Sequence, residues 1–345
     1  MRYRTLGRHT GLRVSEYALG TARFGAPEHT DDARAVFGAF VDQGGTTFAT
    51  SNIYQDGRAE ALLGELMGRD RDDYVVVTKY SGAYPGAGAP RPGTTGNSRK
   101  TMIRSLEASL RRLGTDYVDV FMPHFPDQIT PVEEIMAGFE DLVRSGKIRY
   151  GGFSNFPAWR IAGAAVRADL LGMPRPICIE TEYSLAERTA DRELLPMAEA
   201  HGLGVLLYSP LAGGLLTGKY RRGETGRLSA AGRAIEKDLQ QTAVIDEVLA
   251  IARETEHTAA GVSLEWLRHR AALASTALIP ILGPRIVEHL TEYLQPVDLD
   301  IRHHQRLDKA SAPRMGAPHD DVAGALLNGY DGDRSLLDAP RVPPI

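Results

Sequence analysis

The chain of 345 residues holds a single cysteine, Cys178, so an internal disulfide is excluded. Cys178 sits within P-I-C-I-E, which reads as a buried strand carrying a structural thiol. No apolar run approaches the length of a membrane span, and the N-terminus M-R-Y-R-T-L-G has no apolar core of a secretory leader. A soluble cytoplasmic protein is therefore expected. No run of lysine and arginine stands out, and 40 basic against 44 acidic residues give a net charge of -4. That balance offers little to nucleic acid or to an anionic membrane. Internal repeats are absent, and so is a G-x-G-x-x-G fingerprint, which a doubly wound dinucleotide-binding sheet would normally carry after its first strand.

What is present is an alternation. Short apolar runs occur at 14–19, 46–49, 74–78, 117–122, 150–154, 176–180, 204–208 and 277–282, most of them rich in β-branched or aromatic residues. Between them lie amphipathic stretches with helical spacing. Asp31–Gln43 follows Thr30 as a candidate cap and stops at Gly44-Gly45. Ser98–Leu113 starts on a capping serine and ends at Gly114, with Leu106, Leu110 and Leu113 on one stripe. Pro131–Ser145 carries proline in its first turn. Further helices fit 59–67, 157–171, 193–201, 242–255, 261–270 and 286–294. Eight strands alternating with helices predict an α/β protein, a single-domain (β/α)₈ barrel over 1–345, with a long loop at 211–241 after the seventh strand. A C-terminal extension, 318–345, is rich in Gly, Asp and Pro and reads as a loose end or a strap over the mouth.

Three polar residues stand just after successive apolar runs. Tyr54 follows T-T-F-A-T-S-N-I, Lys79 closes Y-V-V-V-T-K, and His124 closes D-Y-V-D-V-F-M-P-H. In such a barrel the strand C-termini gather at one face, where catalytic groups sit. A phenol beside an ammonium becomes a better acid, and an imidazole can orient a carbonyl oxygen. Taken singly, each is more often structural; packing alone gives no reason to align all three.

Several long segments resemble the aldo-keto reductase superfamily. They are G-G-T-T-F-A-T-S-N-I-Y-Q-D-G-R-A-E-A-L-L-G-E, S-L-E-A-S-L-R-R-L-G-T-D-Y-V-D-V-F, G-K-I-R-Y-G-G-F-S-N-F and Y-S-P-L-A-G-G-L-L-T-G-K-Y. The resemblance covers almost the whole chain. It implies a (β/α)₈ barrel that reduces an aldehyde or ketone with NADPH, with Tyr54 as general acid, Lys79 as its modulator and His124 orienting the substrate. It also implies a cofactor set. Gly20 and Thr21 would border the cofactor, Ser154, Asn155 and the position of Glu180 would hold the carboxamide, and Tyr183 would stack on the nicotinamide. Ser209, Leu211 and Gly213 would wrap the pyrophosphate with Lys219 nearby, and Arg285 and His289 would face the adenosine end.

The sequence also departs from the family. Ala49 stands at the position of the catalytic aspartate, Glu180 at that of a glutamine, and Ile286, His289 and Tyr293 at positions usually Ser or Thr, Gln and Asn. Without the aspartate, desolvation is expected to drive Lys79 toward neutrality, and Ala49→Asp is expected to raise reductase activity. Two other readings follow from this drift. One is a non-redox acid/base enzyme catalysing elimination, cyclisation or isomerisation. The other is a nicotinamide-sensing or partner-binding subunit without turnover. The rim segments 83–96, with Tyr84, and 125–129, with Phe125, suggest a bulky or cyclic carbonyl compound. No metal is expected, and the oligomeric state is not legible.

Overall fold

The computed structural model describes residues 1–83, 91–232, 235–330 and 332–338. Tyr84 and half of the expected rim loop 83–96 fall outside these residues, as does the end of the C-terminal extension.

The chain opens with an antiparallel hairpin, β1 (Tyr3–Thr5) and β2 (Arg13–Ser15). Eight parallel strands then close a barrel: β3 (Ala18–Gly20), β4 (Thr47–Ala49), β5 (Val75–Tyr80), β6 (Val118–Pro123), β7 (Ile148–Ser154), β8 (Pro176–Glu182), β9 (Gly204–Tyr208) and β10 (Leu278–Leu282), with β10 pairing back to β3. The run expected as one strand at 14–19 is divided between two sheets. Ser15 Oγ donates to Tyr17 O within the bend that separates β2 from β3. A short apolar run carries no mark of such a bend, because both halves are buried.

Helices cover the outside: α1 (Thr30–Asp42), α2 (Arg58–Met67), α3 (Arg99–Leu113), α4 (Val132–Arg144), α5 (Ala158–Leu171), α6 (Leu194–His201), the short α7 (Arg227–Ala230), α8 (Leu239–Glu254), α9 (Ala259–Leu273) and α10 (Val287–Leu294). Ser98 caps α3 by accepting from the Thr101 amide, as its position predicts. Thr30 does not cap α1; it is the first helical residue, and its hydroxyl donates back to Ala26 O. Three helices went unforeseen: the short α7 inside the expected loop, α11 (Ile301–Ser311) and α12 (His319–Leu327). α11 lies against α8, where Arg306 donates to Glu247 and Glu254. No described helix is long and apolar enough to cross a membrane.

Both faces of the barrel wall are covered, so β5 and β6 are buried at every position. Alternate residues point inward. Ala18, Ala49, Val77, Val120, Met122, Cys178, Leu206 and Ile279 fill the interior, and Leu6 and Val14, flanking and within the hairpin, join the same cluster and close the lower mouth. The strand C-termini form the other mouth. Two glycines let β7 pass there: a Cβ on Gly151 would overlap the Phe139 ring at 2.5 Å, and one on Gly152 would meet Cys178 O at 2.9 Å.

Candidate active site

On β5 the inward parity that places Val75 and Val77 inside places Lys79 there too, one layer nearer the upper mouth. On β8 the same parity carries Cys178 and then Glu180. The two meet across the barrel. Lys79 Nζ donates to both carboxylate oxygens of Glu180, at 2.8 Å each, and both side chains are almost wholly buried. Burial is the largest influence on the amine and opposes its charge, but the Glu180 carboxylate and its hydrogen bonds outweigh it, with Tyr54 adding to them. The Lys79 amine is therefore held above its ordinary value. The expected neutral Lys79 is corrected by this contact. Glu180, the position expected to touch a carboxamide, is instead the lysine's ion-pair partner while still lining the cavity.

Tyr54 starts a 3₁₀ turn (Tyr54–Gly57) beyond β4, and His124 follows β6 directly. Lys79 Nζ lies 5.8 Å from the Tyr54 ring centroid, and the Tyr54 and His124 rings meet edge to face at 5.9 Å. The three predicted groups thus come together, and all line one cavity of about 560 Å³. Burial raises the Tyr54 phenol above its ordinary value, Lys79 offsets part of that rise, and Glu180 adds to it. The His124 imidazole is pulled down to about 3, by burial first and then by the Lys79 charge, so it is neutral across the physiological range. Ser51 Oγ lies 3.1 Å from His124 Nδ1, which leaves Nε2 as the nitrogen available to a ligand. Phe125 stacks on the imidazole at 4.5 Å and is half exposed at the rim.

The other predicted residues divide. Asn155, with φ of 60°, donates to His124 O and Ser154 Oγ and accepts from the Tyr208 hydroxyl. Asn155 lines the cavity, whereas Ser154 and Thr21 lie fully buried in the barrel wall beneath it. Thr21 is tied to Ala49 O by its amide and hydroxyl. Tyr183 does not reach the cavity. Its ring stacks on Trp266 at 5.6 Å, and its hydroxyl donates to Asp191. The expected stacking role of Tyr183 is corrected on that ground; of the two tyrosines that follow β8 and end β9, it is Tyr208 that faces the groove. Its signal was present in Y-S-P-L, directly beside the Ser209 that was singled out.

A second lobe, of about 390 Å³, adjoins the first and shares Gly20, Ser209, Gly213, Arg227 and Gly283 with it. Leu211, Lys219, Arg285, His289 and Tyr293 line this lobe, together with Arg23. No acidic side chain among the described residues lines it. Arg23 and Lys219 are each held below their ordinary values by burial and then by the Arg285 charge, a sign of cations crowded together. The loop after β9 curls around this lobe through positive φ at Ser209, Ala212, Gly213 and Gly214. At Gly214, with φ of 91°, a Cβ would also meet Lys219 Cε at 2.7 Å. Sequence reasoning missed Arg23 and Arg227, although Arg227 lies in the long loop expected at 211–241. Among the described residues there is no cluster of side chains fit to hold a metal ion.

Comparison with known proteins agrees with this geometry. The chain is similar to the uncharacterized oxidoreductase YrpG of Bacillus subtilis, 36% identical over 312 residues that cover 87% of this chain and 92% of that protein. It is similar to a putative voltage-gated potassium channel subunit beta of Schizosaccharomyces pombe, 34% identical with 86% and 88% covered. It is also similar to an NADP(+) aryl-alcohol dehydrogenase of Phanerodontia chrysosporium, 31% identical with 88% and 84% covered. The family model described as Aldo/keto reductase family matches residues 17–312, and this chain, an eight-stranded barrel with that match over most of its length, belongs to that family.

Proposed function

We propose that the protein reduces an aldehyde or ketone with NADPH. One observation carries this reading. A single groove joins Tyr54, His124 and a charged Lys79 at one end to four cationic side chains at the other, in a lobe that no acidic side chain among the described residues lines. The cationic lobe fits a phosphorylated dinucleotide. Arg285, Arg23, Lys219 and Arg227 suit its phosphates, with the planar guanidinium fork suited to the adenosine 2′-phosphate. Asn155 and Tyr208 would hold the nicotinamide end. When bound, the cofactor supplies the hydride.

The chain supplies the proton. As hydride reaches the carbonyl carbon, negative charge grows on oxygen, and Tyr54 gives its phenolic proton to that atom. Lys79 favours the phenolate left behind. Ser51 Oγ occupies Nδ1, and in the tautomer protonated on Nε2 neutral His124 holds the same oxygen by a hydrogen bond. The bowl above these groups, with Phe125, Tyr208 and Ile53, is partly aromatic and suits an aromatic or cyclic carbonyl compound. The relatives named for aryl-alcohol and norsolorinic acid chemistry support that class. A cytoplasmic location belongs to the same proposal.

Calorimetry with NADPH, followed by steady-state oxidation of NADPH with a panel of aromatic aldehydes, tests the reading. Binding with turnover is expected, and absence of NADPH binding refutes it. A second reading comes from the relatives named as channel β subunits: a cofactor-sensing partner subunit that binds NADPH without turnover. Brisk turnover removes it. The retained cationic lobe and the charged Lys79 count against a non-redox acid/base enzyme.

A further inference from the structure

Lys79 presents a problem that its own strand pair does not solve. Its ammonium is fully buried, and an ammonium in such a place loses its proton unless an opposite charge lies close. The adjacent strand β4 offers the methyl group of Ala49, whose backbone is in register with Val77, one inward position below Lys79. On the other side β6 offers Met122, paired in register with Lys79 itself, and β7 offers Gly152 with no side chain. Around and beneath it lie Met122, Val77, Ala49, Val120 and Cys178, all apolar or neutral, since burial holds the Cys178 thiol well above its ordinary value. In that dry surround a single carboxylate acts with little screening.

We propose that Glu180, reaching from β8 on the far side of the barrel, is the counter-ion that sets the charge of Lys79 and, through it, the proton-donating strength of Tyr54. This deepens the reductase reading and rests on it for its link to turnover. Glu180 is a positioning residue: it acts through Lys79. Both of its oxygens accept from Nζ, which fixes the lysine head as well as its charge. Among the described residues it is the one carboxylate in ion-pair contact with Lys79. The charged or titratable groups that act on Tyr54 are Lys79, Glu180 and Arg227, and those that act on Lys79 are Glu180, Tyr54 and Cys178. The ammonium charge that favours the Tyr54 phenolate is thus maintained from a strand three places away around the barrel wall.

The sign of one measurement decides the matter without cofactor or substrate. The titration of Tyr54 is read as the difference in tyrosinate absorbance between the wild type and Tyr54→Phe, and again in a Glu180→Gln background with and without Tyr54→Phe. If Glu180 maintains the lysine charge, Glu180→Gln neutralises Lys79. Tyr54 then loses Lys79, the strongest of its charged neighbours, and its titration moves to higher pH. If Lys79 stays charged without Glu180, removal of the negative carboxylate moves the titration to lower pH, and the inference is overturned; an unmoved titration overturns it equally. Glu180→Asp serves should the glutamine variant fail to fold, with a smaller upward displacement expected and a downward or null one fatal.

In turnover, Glu180→Gln is expected to lower kcat by about 10²-fold, the lower range of a positioned general acid, with KM little changed. Ala49→Asp/Glu180→Gln, which returns a carboxylate from the neighbouring strand, is expected to recover at least about tenfold of that loss. If the wild type proves to have no reductase activity, the function reading fails while the absorbance titration still judges the ion pair. If turnover is brisk and the titration moves the wrong way, the ion-pair inference alone is lost.

Discussion

The two ends of the groove handle charge in opposite ways. At the barrel mouth one ammonium is met by one carboxylate, both buried and joined by two hydrogen bonds. In the adjoining lobe Arg23, Lys219, Arg227 and Arg285 share a wall with no acidic partner among the described residues. Paired charge at the mouth sets the properties of neighbouring groups before any ligand arrives, which is what proton delivery requires. Cations in the lobe that make no ion pair keep their attraction for an incoming anion. The difference teaches that the drift at Ala49 and Glu180 concerns how the first end is wired, while the second end has kept its electrostatic sense.

The sharpest way to break the comparison is to remove the acid at the mouth. Tyr54→Phe is expected to lower kcat by about 10²- to 10⁴-fold. The NADPH Kd should stay within about twofold, because the cationic lobe is untouched. Calorimetry beside steady-state kinetics separates the two; a comparable loss of binding would merge ends that are distinct here. The converse change, Arg285→Ala, should weaken NADPH by about tenfold or more, the worth of one hydrogen bond to a charged group at roughly 1.5–3 kcal/mol. NADH, which lacks the 2′-phosphate, should lose less, and added salt should narrow the gap.

A third test uses acid. His124 titrates at about 3 in the folded protein, below its ordinary 6.5. Between those values the unfolded chain binds the extra proton and the native one does not, so stability falls as pH drops from about 6.5 to 3 and is fully present above that window. Each pH unit of the window removes up to about 1.4 kcal/mol. Urea melts of His124→Asn at pH 7 and pH 4 should therefore show a shallower acid loss than the wild type. The same neutrality predicts no inflection from His124 in the rate profile between pH 5 and 8.

Smaller effects sharpen the picture. Ala49→Asp alone is expected to lower kcat by about threefold rather than raise it, because Glu180 already neutralises Lys79 and a second carboxylate disfavours the Tyr54 phenolate. The residue pattern alone suggests the opposite sign, because it holds no record of the Glu180 contact. Tyr183→Phe should leave NADPH binding unchanged and cost about 1 kcal/mol of stability through the lost hydrogen bond to Asp191, readable as a shift in the denaturation midpoint. Loss of NADPH binding in that variant would restore Tyr183 to the groove.

Much of the fold was legible because each barrel strand is a short apolar run bounded by turn chemistry, and the early helices announce themselves by their apolar period, with a capping side chain at α3. Seven of the expected strands lie within a few residues of observed ones, from β4 through β10. The first was blurred because a bend between two buried segments leaves no mark in hydropathy. α11 was passed over because its surface is heavily charged and only His304, Leu307 and Ser311 are buried. Tyr54, Lys79 and His124 were readable because strand ends in such a barrel share one face.

The order of strands, the inward parity of Lys79 and the polar groups at the barrel mouth were determined by the sequence itself, since local apolar period fixes which way each side chain points. Tertiary structure alone decided which charges meet and which ring faces the groove. Lys79 and Glu180 lie 101 positions apart along the chain, and only closure of the barrel brings them to 2.8 Å. Tyr183 and Tyr208 both stand at strand ends, and only packing against Trp266 turns the first away and leaves the second in the groove. Ion pairing and ring placement depend on distances through space, and a linear pattern holds no record of them.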